Sequence, residues 1–325
     1  MKIDRLIFKI LSIVYRKTIG TKIVINSYRE KDSNIVSQMI LKLLNGEKPV
    51  MIARYGATEL MCMVNYLGVK KERPNLISYI QGKEFDWWWN DSSLKQIEQW
   101  SGFFPATVPN VECFCELMIQ NSENVDILAS WLDNEFYFKK KLENAKRIQG
   151  LFLDPFWSDI PWTIALKEKN VLVIHPFETD IKSQYKRREL LFANSDILPE
   201  FNLITIRAVQ SLGGDCEFSS WFEALNYMKA EISKVDFDIC LIGAGAYGFP
   251  LAAYVKSIGK KAVHVGGSLQ LLFGIKGKRW ENPLYGKQEL GMEGKYPALM
   301  NKYWIYPSEE NKPKNASIVE DACYW

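Results

Sequence analysis

The sequence predicts an α/β protein, built as a Rossmann-like, mostly parallel sheet with helices on both faces and an aromatic-rich helical insertion. Three observations lead there. Short apolar runs at 50–53, 148–153, 171–174, 203–206, 239–242 and 262–265 are bounded by polar or turn residues, as strands buried on both faces are. Helical patterns at 35–44, 58–66, 111–120, 219–232 and 250–257 lie between them, and such alternation favours a parallel sheet covered on both sides. Finally, Arg54, Asp154, His175, Arg207, Gly243 and Gly266 stand at or just beyond the ends of these runs. In open α/β sheets ligands bind outside the carboxyl ends of the strands, so these residues form the first list of candidates.

The chain has 325 residues, of which 47% are hydrophobic and 24% charged, enough to build a large core. We expect an amphipathic segment over 1–30, one elaborated domain over 31–310 with its insertion at about 68–146, and a tail over 311–325. A formal net charge of +3 carries no footprint of nucleic-acid binding, so any anionic ligand must be held by local groups. The six cysteines, at 62, 113, 115, 216, 240 and 323, match no zinc spacing and read as reduced cytoplasmic thiols.

The opening segment is interrupted by Asp4, Arg5 and Lys9, lacks a small-residue cleavage site, and is too short to span a bilayer. Ile3, Leu6, Ile7, Ile10, Ile13 and Val14 recur at helical spacing among Lys2, Arg5, Lys9, Arg16 and Lys17. Two readings fit equally: a helix lying on the inner, anionic membrane surface, giving peripheral contact, or an amphipathic helix docked on the domain.

The segment from Asp238 runs from a strand into a G-x-G-x-x-G turn at Gly243, Gly245 and Gly248, with Tyr247 inside it. Glycines let the backbone approach a phosphate, and the free N–H groups of the next helix favour an anion. A dinucleotide site would place an acid at the end of the following strand, whereas His264, Gly266 and Gly267 occupy that region, which makes an NAD(P)-dependent oxidoreductase the second reading. Beyond Gly266 and Gly267, the cluster Lys276, Lys278 and Arg279 suggests a cationic flap over a diphosphate, or a solvated basic loop. Arg279 follows Gly277-Lys278 where a P-loop would need Ser or Thr, so this is not a P-loop.

Ile52-Ala-Arg54-Tyr-Gly56-Ala57-Thr-Glu59 again reads as strand, glycine turn, helix. It resembles the R-[YF]-G-[DX]-x-E motif of the GT-D-fold glycosyltransferases of bacterial surface-glycan loci. With the His175-Pro-Phe-Glu178 segment and the 243–280 block, the similarity covers most of 50–280. The resemblance implies hexosyl-type transfer from a nucleoside-diphosphate sugar, typically UDP-linked, to a glycan or lipid-linked acceptor in surface polysaccharide synthesis. Arg54 and Gly56 would then belong to the donor site. It also implies a Mn2+ or Mg2+ ion on an Asp-x-Glu pair; here Ala57 stands in place of the Asp, so the metal role falls to Glu59 alone. A non-catalytic nucleotide-sugar-binding module is the third reading.

Sugar transfer with a general base needs a carboxylate or, less often, a histidine to take the acceptor proton. Asp154 is the first candidate, followed by His175 and Glu178; Glu59 is the remaining catalytic candidate, and taken singly each reads more readily as a turn or capping residue. Trp87, Trp88, Trp89, Trp100, Trp131, Trp157 and Trp162 could line an acceptor cleft, though most should be core. The basic run 185–188 fits either an acceptor phosphate or a solvated helix face.

Overall fold

The computed structural model describes residues 2–20, 28–211, 217–311 and 324–325, with the backbone alone at 2 and 3. Cys216, Cys323 and residues 312–323 of the expected tail lie outside the described residues.

Seven strands, β1 (Val50–Ala53), β2 (Ile127–Ser130), β3 (Lys146–Gln149), β4 (Asn170–His175), β5 (Asn202–Arg207), β6 (Ile239–Ile242) and β7 (Lys261–His264), form one sheet in the order β3-β2-β1-β7-β6-β4-β5. Every pairing is parallel. Because strand side chains alternate, one sheet supplies two cores. Met51, Ala53, Leu172, Ile174, Cys240, Ile242 and Ala262 face one core. It is covered by α3 (Ala57–Val69), α5 (Asp91–Ser101), α6 (Val108–Asn121), α8 (Trp221–Ser233) and α9 (Gly248–Ser257). Val50, Ile52, Val171, Val173, Ile239, Leu241 and Val263 face the other, under α2 (Ser33–Asn45), α7 (Glu178–Tyr185) and α10 (Leu269–Leu272). This double coverage explains why the strands read as unbroken apolar runs.

The helices begin where their capping residues direct. The Asp32 carboxylate accepts from the N–H groups of Asn34 and Ile35 to start α2, and the Ser220 hydroxyl accepts from Glu223 N–H to start α8. Trp221, the first residue of α8, is fully buried and lies between Phe103, Phe114 and the Tyr247 ring, the last stacked at 5.0 Å and 8°. It therefore fastens α8 to the turn after β6.

Two sequence expectations need correction. Ile127–Ser130 lies within the segment expected as a helical insertion but forms β2 between β1 and β3. The segment is helical before that, through α4 (Leu76–Ile80), α5 and α6. The run expected as a strand over 148–153 instead starts at Lys146 and ends at Gln149, where a 3-10 turn over Gly150–Leu153 takes over. β3 is an edge strand on which only Ile148 is fully buried, so its pairing tolerates Lys146 and Arg147. Asp154 consequently follows a 3-10 turn rather than a strand.

Replacing Trp221 with Ala removes a fully buried indole, and we expect a loss of about 3–5 kcal/mol of unfolding free energy. Urea denaturation measures it, and a loss below about 1 kcal/mol would show that the site relaxes without Trp221.

Candidate functional site at the carboxyl edge of the sheet

The four central strands β1, β7, β6 and β4 open at their carboxyl ends into one cleft of about 600 Å³, a size suited to a small organic ligand. The chain leaves β1 toward β2 and reaches β7 from the opposite side. It leaves β4 toward β5 and returns to β6 on the other flank. Such switch points separate the following loops and create a crevice. The candidate residues named above for donor binding and catalysis line this cleft, except Glu178, Arg207, Gly248, Lys276 and Lys278.

The turn after β1 is shaped by Gly56, which caps α3 in extended conformation. A Cβ at Gly56 would overlap the Glu59 carboxylate, so glycine there allows Glu59 to fold back over the helix start. The buried Glu59 carboxylate accepts from its own N–H and from the Ser101 hydroxyl at the end of α5. Burial raises its pKa above the usual carboxylate range, opposed by those bonds and by Arg54. Tyr55 points into the core, stacked on Phe249 at 4.7 Å, with its hydroxyl 2.5 Å from Ser122 Oγ. Arg54 turns the other way, into the cleft, with its guanidinium 5.0 Å from the centre of the Trp131 ring. Trp131 is held by its Nε1–H donating to Tyr55 O at 2.9 Å.

Asp154 is buried and approached from two sides: Ser268 Oγ donates to Oδ1 at 2.6 Å and Tyr296 Oη to Oδ2 at 2.5 Å. Burial raises its pKa, and the two hydroxyls and Arg54 pull it back. Arg54 thus lies within electrostatic reach of both buried acids.

The chain's two histidines both line the cleft, and both are buried. Desolvation pushes the pKa of His175 down to about 3 and that of His264 down to about 4. His175 Nδ1 accepts from Phe177 N–H at 3.0 Å, which assigns the proton to Nε2. His175 thus lines the cleft as a neutral ring with its proton on Nε2. His264 Nδ1 lies 3.3 Å from Ile242 O, which places the proton on Nδ1 in that ring. A Cβ at Gly248 would overlap the His264 ring, so Gly248 is a packing glycine of the fingerprint rather than a ligand-facing one.

The remaining glycines act on the backbone. Gly245 has φ +50° and opens the 3-10 turn Gly245–Tyr247 that enters α9. Gly243 packs so closely that a Cβ would come within 2.7 Å of His175 Cδ2 and 2.8 Å of Gly266 O. Gly266, at φ +79°, leads the parallel 3-10 turn Gly266–Ser268 after β7. Two adjacent glycine turns thus lie at one edge of the sheet. Tyr247 stacks on Trp221, and its hydroxyl lies 2.9 Å from Ser211 Oγ, so it fixes the loop after β5 as well as lining the cleft.

From the expected cationic flap only Arg279 reaches the cleft, its guanidinium 4.9 Å from the Tyr324 ring centre. Lys278 is exposed, and Lys276 lies over Tyr306 at 5.2 Å. Arg207 is exposed on edge strand β5. Glu178 is occupied by Lys182 and Thr205, and in the basic run Arg188 pairs with Glu189 and Glu200. Of the tryptophans, Trp100 and Trp131 are exposed at the cleft, whereas Trp162 is core. Ser101, Ser268, Tyr296 and Gln270 were not legible in the sequence, because hydroxyls and amides far apart along the chain give no pattern until the fold gathers them.

Comparison of the chain with known protein families, characterised proteins and solved structures finds no match. The site must therefore be read from its own chemistry. A divalent cation wants several oxygen ligands. Ala57 is exposed and offers none, and among the described residues no three His, Cys, Asp or Glu side chains converge. The residues present do not fit a protein-held Mn2+ or Mg2+ site on Glu59.

Two outcomes check this geometry. With only two histidines in the chain, their NMR ring resonances are readily resolved, and both should stay neutral from pH 8 to pH 5. A midpoint near the ordinary value of about 6.5 for either ring would contradict its burial in the cleft floor. Gly248→Ala should cost about 1–3 kcal/mol of stability through overpacking against His264. An unchanged denaturation midpoint would remove that role.

Proposed function

We propose that the protein is a glycosyltransferase that transfers a sugar from a nucleoside-diphosphate donor, UDP-linked by the sequence resemblance, to a hydroxyl of a glycan or lipid-linked acceptor. One observation carries the reading: two glycine turns and two arginines, Arg54 and Arg279, share a cleft with the buried carboxylates Glu59 and Asp154. Backbone N–H groups and guanidinium groups are suited to a diphosphate, and buried acids to sugar hydroxyls and proton uptake.

In this reading the acceptor oxygen attacks the anomeric carbon, the bond from that carbon to the diphosphate oxygen breaks, and the nucleoside diphosphate leaves with the electron pair. Arg54, Arg279 and the turn N–H groups stabilise the charge that develops on the leaving oxygen. Asp154 takes up the acceptor proton, its raised pKa bringing it nearer to neutral conditions, while Ser268 and Tyr296 fix its orientation. Glu59, fixed by its own N–H and Ser101, orients Arg54 or a donor hydroxyl. The exposed faces of Trp100 and Trp131 suit the flat side of an acceptor sugar.

A thermal-shift screen tests the donor class, since a ligand that binds only the folded state raises the melting temperature. We expect UDP-sugars to stabilise the protein and NAD(H) to leave it unchanged; the reverse would favour the oxidoreductase. Glu59→Gln keeps the size of the side chain. It should alter unfolding free energy by about 1 kcal/mol or less while greatly reducing transfer, measured as released UDP. Unfolding, or unaltered transfer, would make Glu59 a structural cap. Arg54→Met should weaken donor binding by about 1.5–3 kcal/mol in calorimetry, and equal affinity would exclude Arg54 from the donor site.

A further inference from the structure

The first helix, α1 (Lys2–Thr18), is attached to the domain by the wrong side for a soluble amphipathic helix. Such a helix buries its apolar stripe and shows its polar one to water. Here Arg5, Phe8, Lys9 and Ser12 face the domain. Arg5 lies over the Trp88 ring at 5.4 Å, Phe8 packs on Trp87 at 6.1 Å, and Ser12 Oγ donates to Tyr79 O in α4 at 3.2 Å. Lys9 donates to Asn90 Oδ1 at 2.6 Å and pairs with Asp86 at 3.5 Å. Ser12 is 2% exposed, whereas Leu6 is 60%, Ile10 50% and Val14 53% exposed, with Ile7, Leu11 and Ile13 similarly uncovered.

The polar contacts fix the helix in this inverted orientation, so its apolar face is a constructed outer surface of the protein. The surface continues onto α4, where Ile77 is 67% exposed and Leu76 is also exposed. Charge identifies what covers it. Arg16 and Lys17 close α1, and Arg73 and Lys83 flank α4; all four are exposed. A second copy would bring the same basic residues against their own kind, whereas an anionic lipid surface complements them while taking up the apolar stripe.

We propose that α1 together with the exposed edge of α4 is a docking surface for an anionic bilayer, on which the helix lies in the interfacial plane. The docked side also leads to the cleft. Trp87–Asn90, against which α1 packs, runs directly into α5, whose far end carries the cleft residues Trp100 and Ser101. Eleven helical residues span about 16 Å, so the segment on which α1 docks and the cleft rim are connected by one short helix. The docking itself is independent of the reaction carried out in the cleft.

Vesicle sedimentation of the full chain tests it, with phosphatidylcholine vesicles alone and with phosphatidylcholine containing phosphatidylglycerol. We expect binding to the anionic vesicles, weakened by high salt. The double variant Ile10→Glu, Val14→Glu, at positions that make no core contact, should bind at least about tenfold more weakly with an unchanged melting temperature. Arg16→Glu with Lys17→Glu should reduce binding to the anionic vesicles selectively and serves as an independent check. Absence of wild-type binding, or equal binding by the Ile10/Val14 variant, would overturn the proposal. So would a concentration-dependent dimer that this variant dissolves without any vesicle binding, which would assign the surface to a second copy. Loss of sugar transfer with vesicle binding intact would overturn the proposed reaction and leave this inference standing.

Discussion

The structure depends on one constraint: an all-parallel sheet sends the carboxyl end of every strand to the same edge. Because β1, β7, β6 and β4 are adjacent, the turns that follow them converge. Residues more than 200 positions apart in sequence, such as Arg54 and Gly266, become neighbours: a Cβ on Gly266 would lie 3.5 Å from Arg54 Cδ. The two apolar cores on either side of the sheet support this edge, and the loops beyond it carry polar groups into the cleft.

Desolvation then sorts the ionisable groups. It acts on histidines and carboxylates in the same sense, toward neutrality, but with opposite effects on pKa. His175 and His264 are driven down and remain uncharged donors or acceptors. Glu59 and Asp154 are driven up. The consequences for stability also oppose each other. The histidines favour unfolding as pH falls below their unfolded pKa, whereas the raised carboxylates favour it as pH rises through the ordinary carboxylate range. The Arg54 guanidinium acts on both acids, opposing the rise that burial imposes on them.

Much of this arrangement was legible in the sequence because apolar runs and the residues that end them are local signals. β1 and β6 were readable to the residue, and Arg54, Gly56, Glu59, His175, Gly243 and Gly245 indeed meet in one cleft. β2 was missed because four residues, Ile127–Ser130, follow a helix with no glycine or proline boundary between them. Lys278 and Arg207 misled because charge near a turn does not say which way the side chain points. Gly248 fits the fingerprint by spacing, yet its freedom is used by the His264 ring, a contact between two separate strand-to-helix turns. The inverted face of α1 was invisible too, since amphipathicity gives the width of an apolar stripe but not which side docks.

A structure of the protein crystallised with UDP tests the central claim most directly. The account predicts the diphosphate in the cleft, against the Gly243–Gly245 and Gly266–Ser268 turns and within hydrogen-bonding reach of Arg54 or Arg279. A diphosphate bound away from the carboxyl edge of the sheet, or a cleft whose arginines and glycine turns make no contact with it, would contradict that claim.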